Sequence, residues 1–217
     1  MNLEQARSNM IEQQVRTWDV LDGRVLDAMK EVPREEFVPA RHRKLAFSDL
    51  RVPIGSDQVM MKPIEEGRLL QSLNLESGQS VLDVGTGSGF LAACLARLGG
   101  KVTSIEIHED LADQAKSNLE STGVEGVDLR VGNVFEADFD GPFDVVVVTS
   151  SVPEVPDALK DLVAPGGRLF IVRGRAPAME AVTLTRVGDE DRFRADSLFE
   201  TDLPRLVGAE DAPRFEF

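Results

Sequence analysis

Apolar residues in the first part of the chain recur at intervals of three and four positions, the spacing that places side chains on one face of a helix. The recurring positions are Leu3, Ala6, Met10, Val25, Leu26, Met29 and Val32. The pattern predicts helices within the first forty residues, with Asp22 as the cap of the second helix and Pro33 at its end.

The helical spacing breaks between Phe47 and Lys62, and this segment is predicted to be a loop. Its turn-forming residues are Pro53, Gly55, Ser56 and Asp57. A loop of this length is often functional. Beyond Pro63, the spacing predicts a further helix over Ile64–Leu73.

From Ser80 onward, strand and helix patterns alternate along the chain. The predicted strands are Ser80–Val84, Lys101–Ile107, Val127–Val131, Phe143–Thr149 and Arg168–Arg173, followed by antiparallel strands over Ala181–Val187 and Arg192–Phe199. The predicted helices are Phe90–Leu98, Glu109–Ser121 and Val155–Leu162. The run Phe143–Thr149 is apolar on both faces, as a central parallel strand should be.

This alternation indicates the α/β class, with a doubly wound, mostly parallel, Rossmann-like sheet and an N-terminal helical extension. In such a sheet the ligand lies beyond the carboxyl ends of the strands. We expect a single domain over residues 1–217, in which residues 1–75 supply the N-terminal helices and the substrate loop, and residues 76–217 supply the core.

The charge of the chain bears on its partners. The net charge of -14, from 38 acidic and 24 basic residues, disfavours a surface that binds nucleic acid through its phosphates and favours a protein or small-molecule partner. A local basic island consists of Arg34, Arg41, His42, Arg43, Lys44 and Arg51. It is interpreted as a solvated face, with a platform for an acidic substrate as the alternative.

Cysteine content and hydropathy favour a cytoplasmic protein without a membrane partner. Cys94 is the single cysteine and lies in an apolar run, so we expect a buried thiol and no intrachain disulfide. No stretch approaches the roughly 20 apolar residues that a bilayer-spanning helix needs. The N-terminus also lacks an apolar signal segment.

The strongest local signal is the segment from Val81 to Phe90, which reads Val-Leu-Asp-Val-Gly-Thr-Gly-Ser-Gly-Phe. Glycine permits the sharp turn and leaves room for a ligand against the backbone. Dinucleotide sites prefer G-x-G-x-x-G, whereas this loop is G-x-G-x-G with Asp83 ahead of it. An acid at that place can help to hold the ammonium group of S-adenosylmethionine (AdoMet), directly or through water. The loop contributes the candidate cofactor residues Gly85, Thr86, Gly87, Ser88 and Gly89.

Glu106 closes the next predicted strand and can accept hydrogen bonds from both hydroxyls of a ribose. Enzymes that bind NAD use the same device, so Glu106 indicates a nucleoside ligand only in combination with the loop. Asn133 and Val134 follow the third strand, where an adenine edge would lie. We add Ile107 and Thr149, each the last residue of a predicted strand, to the candidate cofactor residues.

Several segments together resemble the protein-L-isoaspartate O-methyltransferase family. They are Ala28–Pro39, Ala46–Asp49, Val52–Gly55 with Gln58, Val81–Phe90, Pro142–Asp144, Val155–Leu159 and Pro165–Leu169. The resemblance implies an AdoMet-dependent enzyme that methylates the free α-carboxylate of isoaspartyl residues in a peptide or protein. Because that carboxylate is already ionised near neutral pH, the chemistry mainly requires orientation. We therefore expect His42 and His108 to be surface residues, and no metal.

The chain departs from the family in the substrate loop. The family typically reads Gly-Gln-Thr-Ile-Ser there, and the match at Gln58 places Val59 and Met61 at the positions of the Thr and of the active-site Ser. Gln58, Val59 and Met61 are thus the catalytic-site positions that the resemblance implies, with two hydroxyl donors missing. The candidate replacement donors are Ser56, Lys62, Ser150 and Ser151.

Two lesser departures accompany this one. Asn133 stands where the family often has Asp, and the segment from Leu203 to Gly208 lacks the family's usual Phe-Val-Pro-Leu ending. Three alternatives to isoaspartyl methylation stay open: an AdoMet methyltransferase with another acceptor, a non-catalytic AdoMet-binding module, and a nicotinamide dehydrogenase.

Overall fold

The computed structural model describes residues 2–188 and 192–209. The N-terminal region is helical, as predicted, with α1 at Leu3–Met10 and α2 at Gly23–Glu31. A short π-helix at Ile11–Val15 and a 3-10 turn at Arg16–Trp18 extend α1. The side chain of Asp22 accepts a hydrogen bond from the backbone N–H of Arg24, which confirms Asp22 as the cap of α2.

The segment between Phe47 and Lys62 is not a simple loop, and here the sequence prediction is wrong. It contains an antiparallel hairpin of β1, Val52–Gly55, and β2, Gln58–Met60. Ser56 and Asp57 have φ values of 47° and 56°, which is the left-handed backbone that a tight two-residue hairpin turn requires. Strands this short carry too little alternation to show in the sequence.

The rest of the chain forms the predicted α/β core. Its elements are α3 at Pro63–Leu73, β3 at Ser80–Val84, α4 at Phe90–Arg97, β4 at Lys101–Glu106, α5 at Glu109–Ser121, β5 at Val127–Val131, β6 at Phe143–Val152, α6 at Asp157–Lys160, β7 at Val163–Arg175, β8 at Ala178–Arg186 and β9 at Phe193–Thr201. The main sheet runs in the order β5-β4-β3-β6-β7-β8-β9, with β8 and β9 antiparallel. The doubly wound fold class is confirmed.

Strand order places a crevice at the carboxyl end of β3. From β3 the chain crosses to β4 and β5 on one side, whereas β6 and β7 lie on the other side. Because the connections to the strands on the two sides of β3 leave in opposite directions, a cleft opens at the carboxyl end of β3. Ligands of doubly wound sheets bind in such clefts.

Several boundaries differ from the prediction, and the strand expected over Arg168–Arg173 is longer, because β7 extends from Val163 to Arg175. The helix expected over Val155–Leu162 is limited to α6, because Val163 already pairs with Phe143 at the start of β7. Strand β6 continues past Thr149 to Val152, since Ser151 and Val152 resume pairing with β7 after an irregularity.

The buried core lies on both faces of the sheet. In β6, Val145 and Val147 belong to a cluster with the N-terminal helices, whereas Val146 and Val148 belong to a second cluster on the opposite face. Cys94 is buried, as expected, and burial raises the pKa of its thiol. Within residues 2–188 and 192–209, no helix is long and apolar enough to cross a bilayer.

Candidate active site

A cleft of about 600 Å³, open to solvent, lies at the carboxyl ends of β3, β4 and β6. Its lining includes seven of the predicted cofactor residues: Gly85, Gly87, Glu106, Ile107, Asn133, Val134 and Thr149. The hairpin residues Gln58 and Val59 line it as well. Sequence elements far apart in the chain therefore meet at the crevice that the strand order creates.

The first two glycines of the loop hold the backbone in conformations that other residues rarely adopt. Gly85 has a φ of 88° and Gly87 a φ of 55°. A Cβ on Gly85 would lie 2.9 Å from Oγ1 of Thr149, and a Cβ on Gly87 would lie 3.1 Å from Cδ1 of Ile54. The hydroxyl of Thr149 also donates to the carbonyl of Gly85 at 2.9 Å, which fixes the turn. Side chains here would collide with the walls of the cleft.

The end of the loop serves the helix that follows rather than the cleft. Gly89 has a φ of 87°, and a Cβ on it would meet Ala115 of α5 at 3.4 Å. The hydroxyl oxygen of Ser88 accepts the backbone N–H of Phe90 at 3.4 Å. Gly89 and Ser88, both predicted to touch the cofactor, are thus placed at the start of α4 and outside the described lining of the cleft.

Glu106 has the geometry that a sugar-binding carboxylate needs. It is 3% exposed, and its Oε2 accepts the N–H of Gly87 at 2.8 Å while Oε1 accepts the N–H of His108 at 3.0 Å. Two backbone donors hold the carboxylate in place, yet each oxygen retains a second lone pair. Glu106 can therefore accept one hydrogen bond on each oxygen from a vicinal diol.

Asp83 lies beneath the loop, fully buried. Its Oδ2 accepts a hydrogen bond from Oγ of Ser104 at 2.7 Å, and Oγ of Ser104 is 2.6 Å from Oγ1 of Thr86. Because Ser104 gives its proton to Asp83, Thr86 must donate to Ser104. Burial raises the pKa of Asp83 to about 7, the hydrogen bond from Ser104 opposes this, and the charge of Glu106 adds to it. Asp83 and Thr86 thus brace the loop from below.

The adenine end of the predicted site is formed by residues that follow β4 and β5. Oδ1 of Asn133 accepts the backbone N–H of Phe135 at 3.1 Å, which is an Asx turn. The amide oxygen is therefore engaged with the chain's own backbone, and the NH₂ group of Asn133 is the part able to donate to a ligand. Ile107 and Val134 add apolar surface beside it.

The structure divides the three predicted catalytic-site positions between the cleft and the buried core. Gln58 and Val59 line the cleft, and Nε2 of Gln58 donates to the carbonyl of Ser56 at 3.3 Å. Met61 is 4% exposed, belongs to the apolar core, and lines a smaller neighbouring cavity with Val59 and the glycine loop. The position of the family's active-site Ser is therefore occupied by a core side chain.

The structure confirms the solvated-face interpretation of the basic island for Arg41, Arg43 and Lys44, which are exposed, and contradicts it for Arg34. Arg34 is fully buried, forms an ion pair with Glu66, and donates to the carbonyls of Ala46 and Met61 at 2.8 and 2.7 Å. Arg51 pairs with Glu65 at 2.9 Å. Proximity in sequence does not show burial: Arg34 holds the segments on both sides of the hairpin from inside the protein, whereas Arg51 is half-buried.

His108 is partly exposed, in agreement with the expected surface position, and it lines the cleft next to Glu106. His42 is partly exposed too and accepts a hydrogen bond from Nε of Arg41 at 3.1 Å.

Of the four suggested replacement donors, Ser150 lines the cleft. The hydroxyl of Ser56 bonds to the carboxylate of Asp110 at 2.8 Å, and the hydroxyl of Ser151 is buried and donates to the carbonyl of Leu203 at 2.7 Å. The backbone N–H of Lys62 donates to Glu65 at the start of α3. Ser150 is thus the hydroxyl best placed to meet an acceptor.

The segment from Leu203 to Gly208, which departs from the family's usual ending, contributes a C-terminal wall of the cleft. The N–H of Ser151 donates to the carbonyl of Pro204, and the N–H of Leu206 donates to the carbonyl of Ser151, both at 2.8 Å. This bridge lays three further residues along the cleft: Arg205, Leu206 and Val207. The family resemblance identified this segment in the sequence, but the segment has no periodic pattern that would single out these three residues.

Comparisons with known proteins agree with this geometry. A family model described as protein-L-isoaspartate(D-aspartate) O-methyltransferase matches residues 5–196. A protein-L-isoaspartate O-methyltransferase 1 of Rhodopseudomonas palustris is 38% identical over 206 residues, which cover 94% of this chain and 84% of the relative. A protein-L-isoaspartate O-methyltransferase of Methanoculleus marisnigri is 38% identical over 181 residues, which cover 83% of this chain and 82% of the relative.

A solved structure shows the same fold. It is that of a Plasmodium falciparum protein assigned as a protein-L-isoaspartate O-methyltransferase, in complex with S-adenosyl-L-homocysteine. The TM-score is 0.80 at 21% identity, and the match covers 92% of this chain and 97% of the other. The family match and the two relatives together show that this chain belongs to the protein-L-isoaspartate(D-aspartate) O-methyltransferase family.

Proposed function

We propose that this chain transfers the methyl group of AdoMet to the free α-carboxylate of L-isoaspartyl residues in peptides and proteins. The observation that carries the proposal is the family match over residues 5–196, which includes the hairpin, the glycine loop and the strands that form the cleft. The relatives that are 38% identical carry the name of this activity.

The described residues fit a sulfonium nucleoside. Glu106 offers two oxygens for the ribose hydroxyls, and the bare backbone at Gly85 and Gly87 leaves room for the ligand above it. Ile107 and Val134 supply apolar surface for the base. When bound, AdoMet supplies an electrophilic methyl group and departs as S-adenosylhomocysteine (AdoHcy), as the bond from carbon to the carboxylate oxygen forms and the bond from carbon to sulfur breaks.

The chain itself has to align and enclose the acceptor. A carboxylate is ionised near neutral pH, so the reaction requires no base to remove a proton. Holding the acceptor oxygen in line with the methyl group contributes through orientation. Gln58 and Val59 of the hairpin form one wall of the cleft, and Ser150 with the segment after Pro204 forms another. The acceptor is expected to enter between these walls.

The product chemistry explains a role in protein repair. In the methyl ester, the backbone nitrogen of the next residue attacks the ester carbonyl and methanol leaves, which gives a succinimide. Addition of water to the succinimide reopens it in part as a normal aspartyl residue. Neither step requires a group of this chain.

A second candidate is the same methyl transfer to a different acceptor. The observation that favours it is the hairpin region, where Val59 lines the cleft without a hydroxyl and Met61 is a buried side chain that carries none. A hydrogen bond to a charged group contributes about 1.5–3 kcal/mol. Loss of such bonds could lower activity on isoaspartyl residues enough for another acceptor to be preferred.

A comparison of matched peptides tests the proposal. Labelled methyl from AdoMet is followed into a peptide with one isoaspartyl residue and into the same peptide with aspartate. We expect incorporation into the isoaspartyl peptide alone. Equal incorporation into both peptides, or into neither, would contradict the proposal, and restored activity in Val59→Thr from a wild type near zero would favour the second candidate.

A further inference from the structure

The hairpin wall of the cleft is not part of the main sheet. Strands β1 and β2 pair with each other as a separate two-stranded sheet, and Gln58 and Val59 of this hairpin line the cleft. The glycine loop, in contrast, follows β3 of the main sheet. Because no strand pairing joins the hairpin to the main sheet within the described residues, other contacts have to fix the hairpin against the glycine loop.

Arg34 joins the two ends of the segment 47–60, which contains the hairpin. Its side chain is fully buried, and its Nε donates to the carbonyl of Ala46 at 2.8 Å while Nη2 donates to the carbonyl of Met61 at 2.7 Å. Ala46 directly precedes the segment, and Met61 directly follows β2. Because a guanidinium carries its donors in a rigid planar fork, the two ends of the segment are held at a fixed spacing.

The same guanidinium contacts the helix that begins at the glycine loop. Its Cζ lies 4.8 Å from the centroid of the Phe90 ring, and Phe90 is the first residue of α4. Its Nη1 forms the ion pair with Glu66 of α3, which is also buried. Glu66 and Phe90 both line the smaller cavity, to which Val59 and Gly87 contribute as well. Arg34 therefore lies where the hairpin segment, α3 and the start of α4 meet.

Stability alone is a weak reason for an arginine at this place. The attraction within a buried ion pair is largely offset by the lost hydration of both charges, so apolar replacements of similar volume are often neutral or stabilising. An apolar side chain could fill the space beside Phe90, but it could not bond to the carbonyls of Ala46 and Met61. What the arginine adds is a defined spacing of the two hairpin ends and a defined position of both against α4.

We infer that Arg34 is a positioning residue that sets the hairpin wall of the cleft at the distance from the glycine loop which methyl transfer requires. This inference rests on the proposed function. Because Arg34 is fully buried, it acts through the backbone at Ala46 and Met61 and not by contact with the acceptor. Transfer between two bound groups depends steeply on geometry, and a displacement of about 1 Å can lower the rate about a hundredfold.

The test compares three variants with the wild type. Arg34→Lys keeps a cation opposite Glu66, but an ammonium lacks the planar fork that spans both carbonyls. The double variant Arg34→Met with Glu66→Leu removes both charges together. Arg24→Lys is the matched control, because Arg24 also pairs with an acid, Asp22, and donates to a carbonyl, that of Leu75, both at 2.9 Å. Leu75 precedes β3, whereas the cleft lies at the carboxyl end of β3.

Three quantities are measured for each protein: kcat and KM for an isoaspartyl peptide at saturating AdoMet, the Kd for AdoHcy by calorimetry, and the urea midpoint of unfolding. In both Arg34 variants we expect kcat to fall by roughly tenfold to a hundredfold, while KM and the Kd for AdoHcy stay within about threefold. Arg24→Lys should keep the kcat of the wild type. An arginine with a structural role alone would lower the urea midpoint and leave the kcat of the folded protein unchanged.

The outcomes separate this inference from the proposed function. An active wild type with an unchanged kcat in either folded Arg34 variant overturns the inference alone. A Kd for AdoHcy that rises by the same factor as kcat falls overturns it as well, because the effect would then lie in cofactor binding. A wild type that does not methylate the isoaspartyl peptide contradicts the proposed function and, with it, the inference. If one Arg34 variant does not fold, the other decides; if neither folds, Arg34 is required for folding itself and the inference is overturned.

Discussion

Replacement of Glu106 by glutamine isolates the role of the carboxylate in nucleoside binding. In the structure its two oxygens accept the N–H groups of Gly87 and His108 at 2.8 and 3.0 Å. A glutamine amide has one oxygen, so one of these N–H groups would face an NH₂ donor and lose its partner. The same change removes one of the two acceptors available to the ribose diol.

The magnitude follows from these losses. Each hydrogen bond to a charged group contributes about 1.5–3 kcal/mol, and about 1.4 kcal/mol corresponds to a tenfold change in Kd. We expect the Kd for AdoHcy to rise by roughly a hundredfold in Glu106→Gln. Calorimetric titration with AdoHcy measures it, and Glu109→Gln is the control, because Glu109 is exposed at the start of α5 and carries the same charge. A Kd within threefold of wild type would refute the assignment of Glu106 to the sugar.

Three further predictions concern the loop and the core. Gly87→Val should abolish AdoHcy binding, because the Cβ would lie 3.1 Å from Ile54 and a φ of 55° is strained for valine. The control Gly78→Val has a φ of 88° but lies in open space, so it should bind AdoHcy normally, and equal affinities of the two variants in a titration would remove Gly87 from the site. Met61→Ser should lower the free energy of unfolding in urea by about 2–5 kcal/mol, as truncation of a buried methionine does, and a loss below about 1 kcal/mol would contradict its place in the core. Burial raises the pKa of Asp83 to about 7 from 3.8, so the folded state retains a proton that the unfolded state releases. The stabilisation of the folded state by this retained proton is complete below about pH 4 and is lost by about pH 7. Over this range the free energy of unfolding of the wild type, measured in urea, should fall by up to roughly 4 kcal/mol relative to that of Asp83→Asn. A difference between the two proteins that does not change with pH would contradict the raised pKa.

The sequence predicted the α/β core well because its buried strands and helices show as local apolar patterns, either continuous runs or helical spacing. The run from Phe143 to Thr149 is apolar on both faces, and it is the strand β6 that lies between β3 and β7. The hairpin was missed because its strands are three and four residues long. The end of β6 was set too early because pairing with β7 resumes beyond an irregularity, which no local pattern reveals.

Some residues of the candidate site could be predicted from the sequence and others could not, because only features set by nearby residues are visible in the sequence. The glycine loop and Glu106 could be recognised because their conformations and spacing depend on residues close in the sequence. The burial of Arg34 depends on Glu66, and the position of Arg205 depends on Ser151, so both are set by contacts between distant segments. The roles of the individual site residues, and the division of the chain near residue 75, stay predictions.

The central claim is that this chain methylates the α-carboxylate of an isoaspartyl residue, and mass spectrometry of a single peptide tests it most directly. An isoaspartyl peptide is incubated with the chain and AdoMet, and its products are separated over time. We predict a species that carries one added methyl group, followed by the succinimide and then by the aspartyl peptide. An isoaspartyl peptide of unchanged mass, or a methyl group that persists without succinimide formation, would contradict the account.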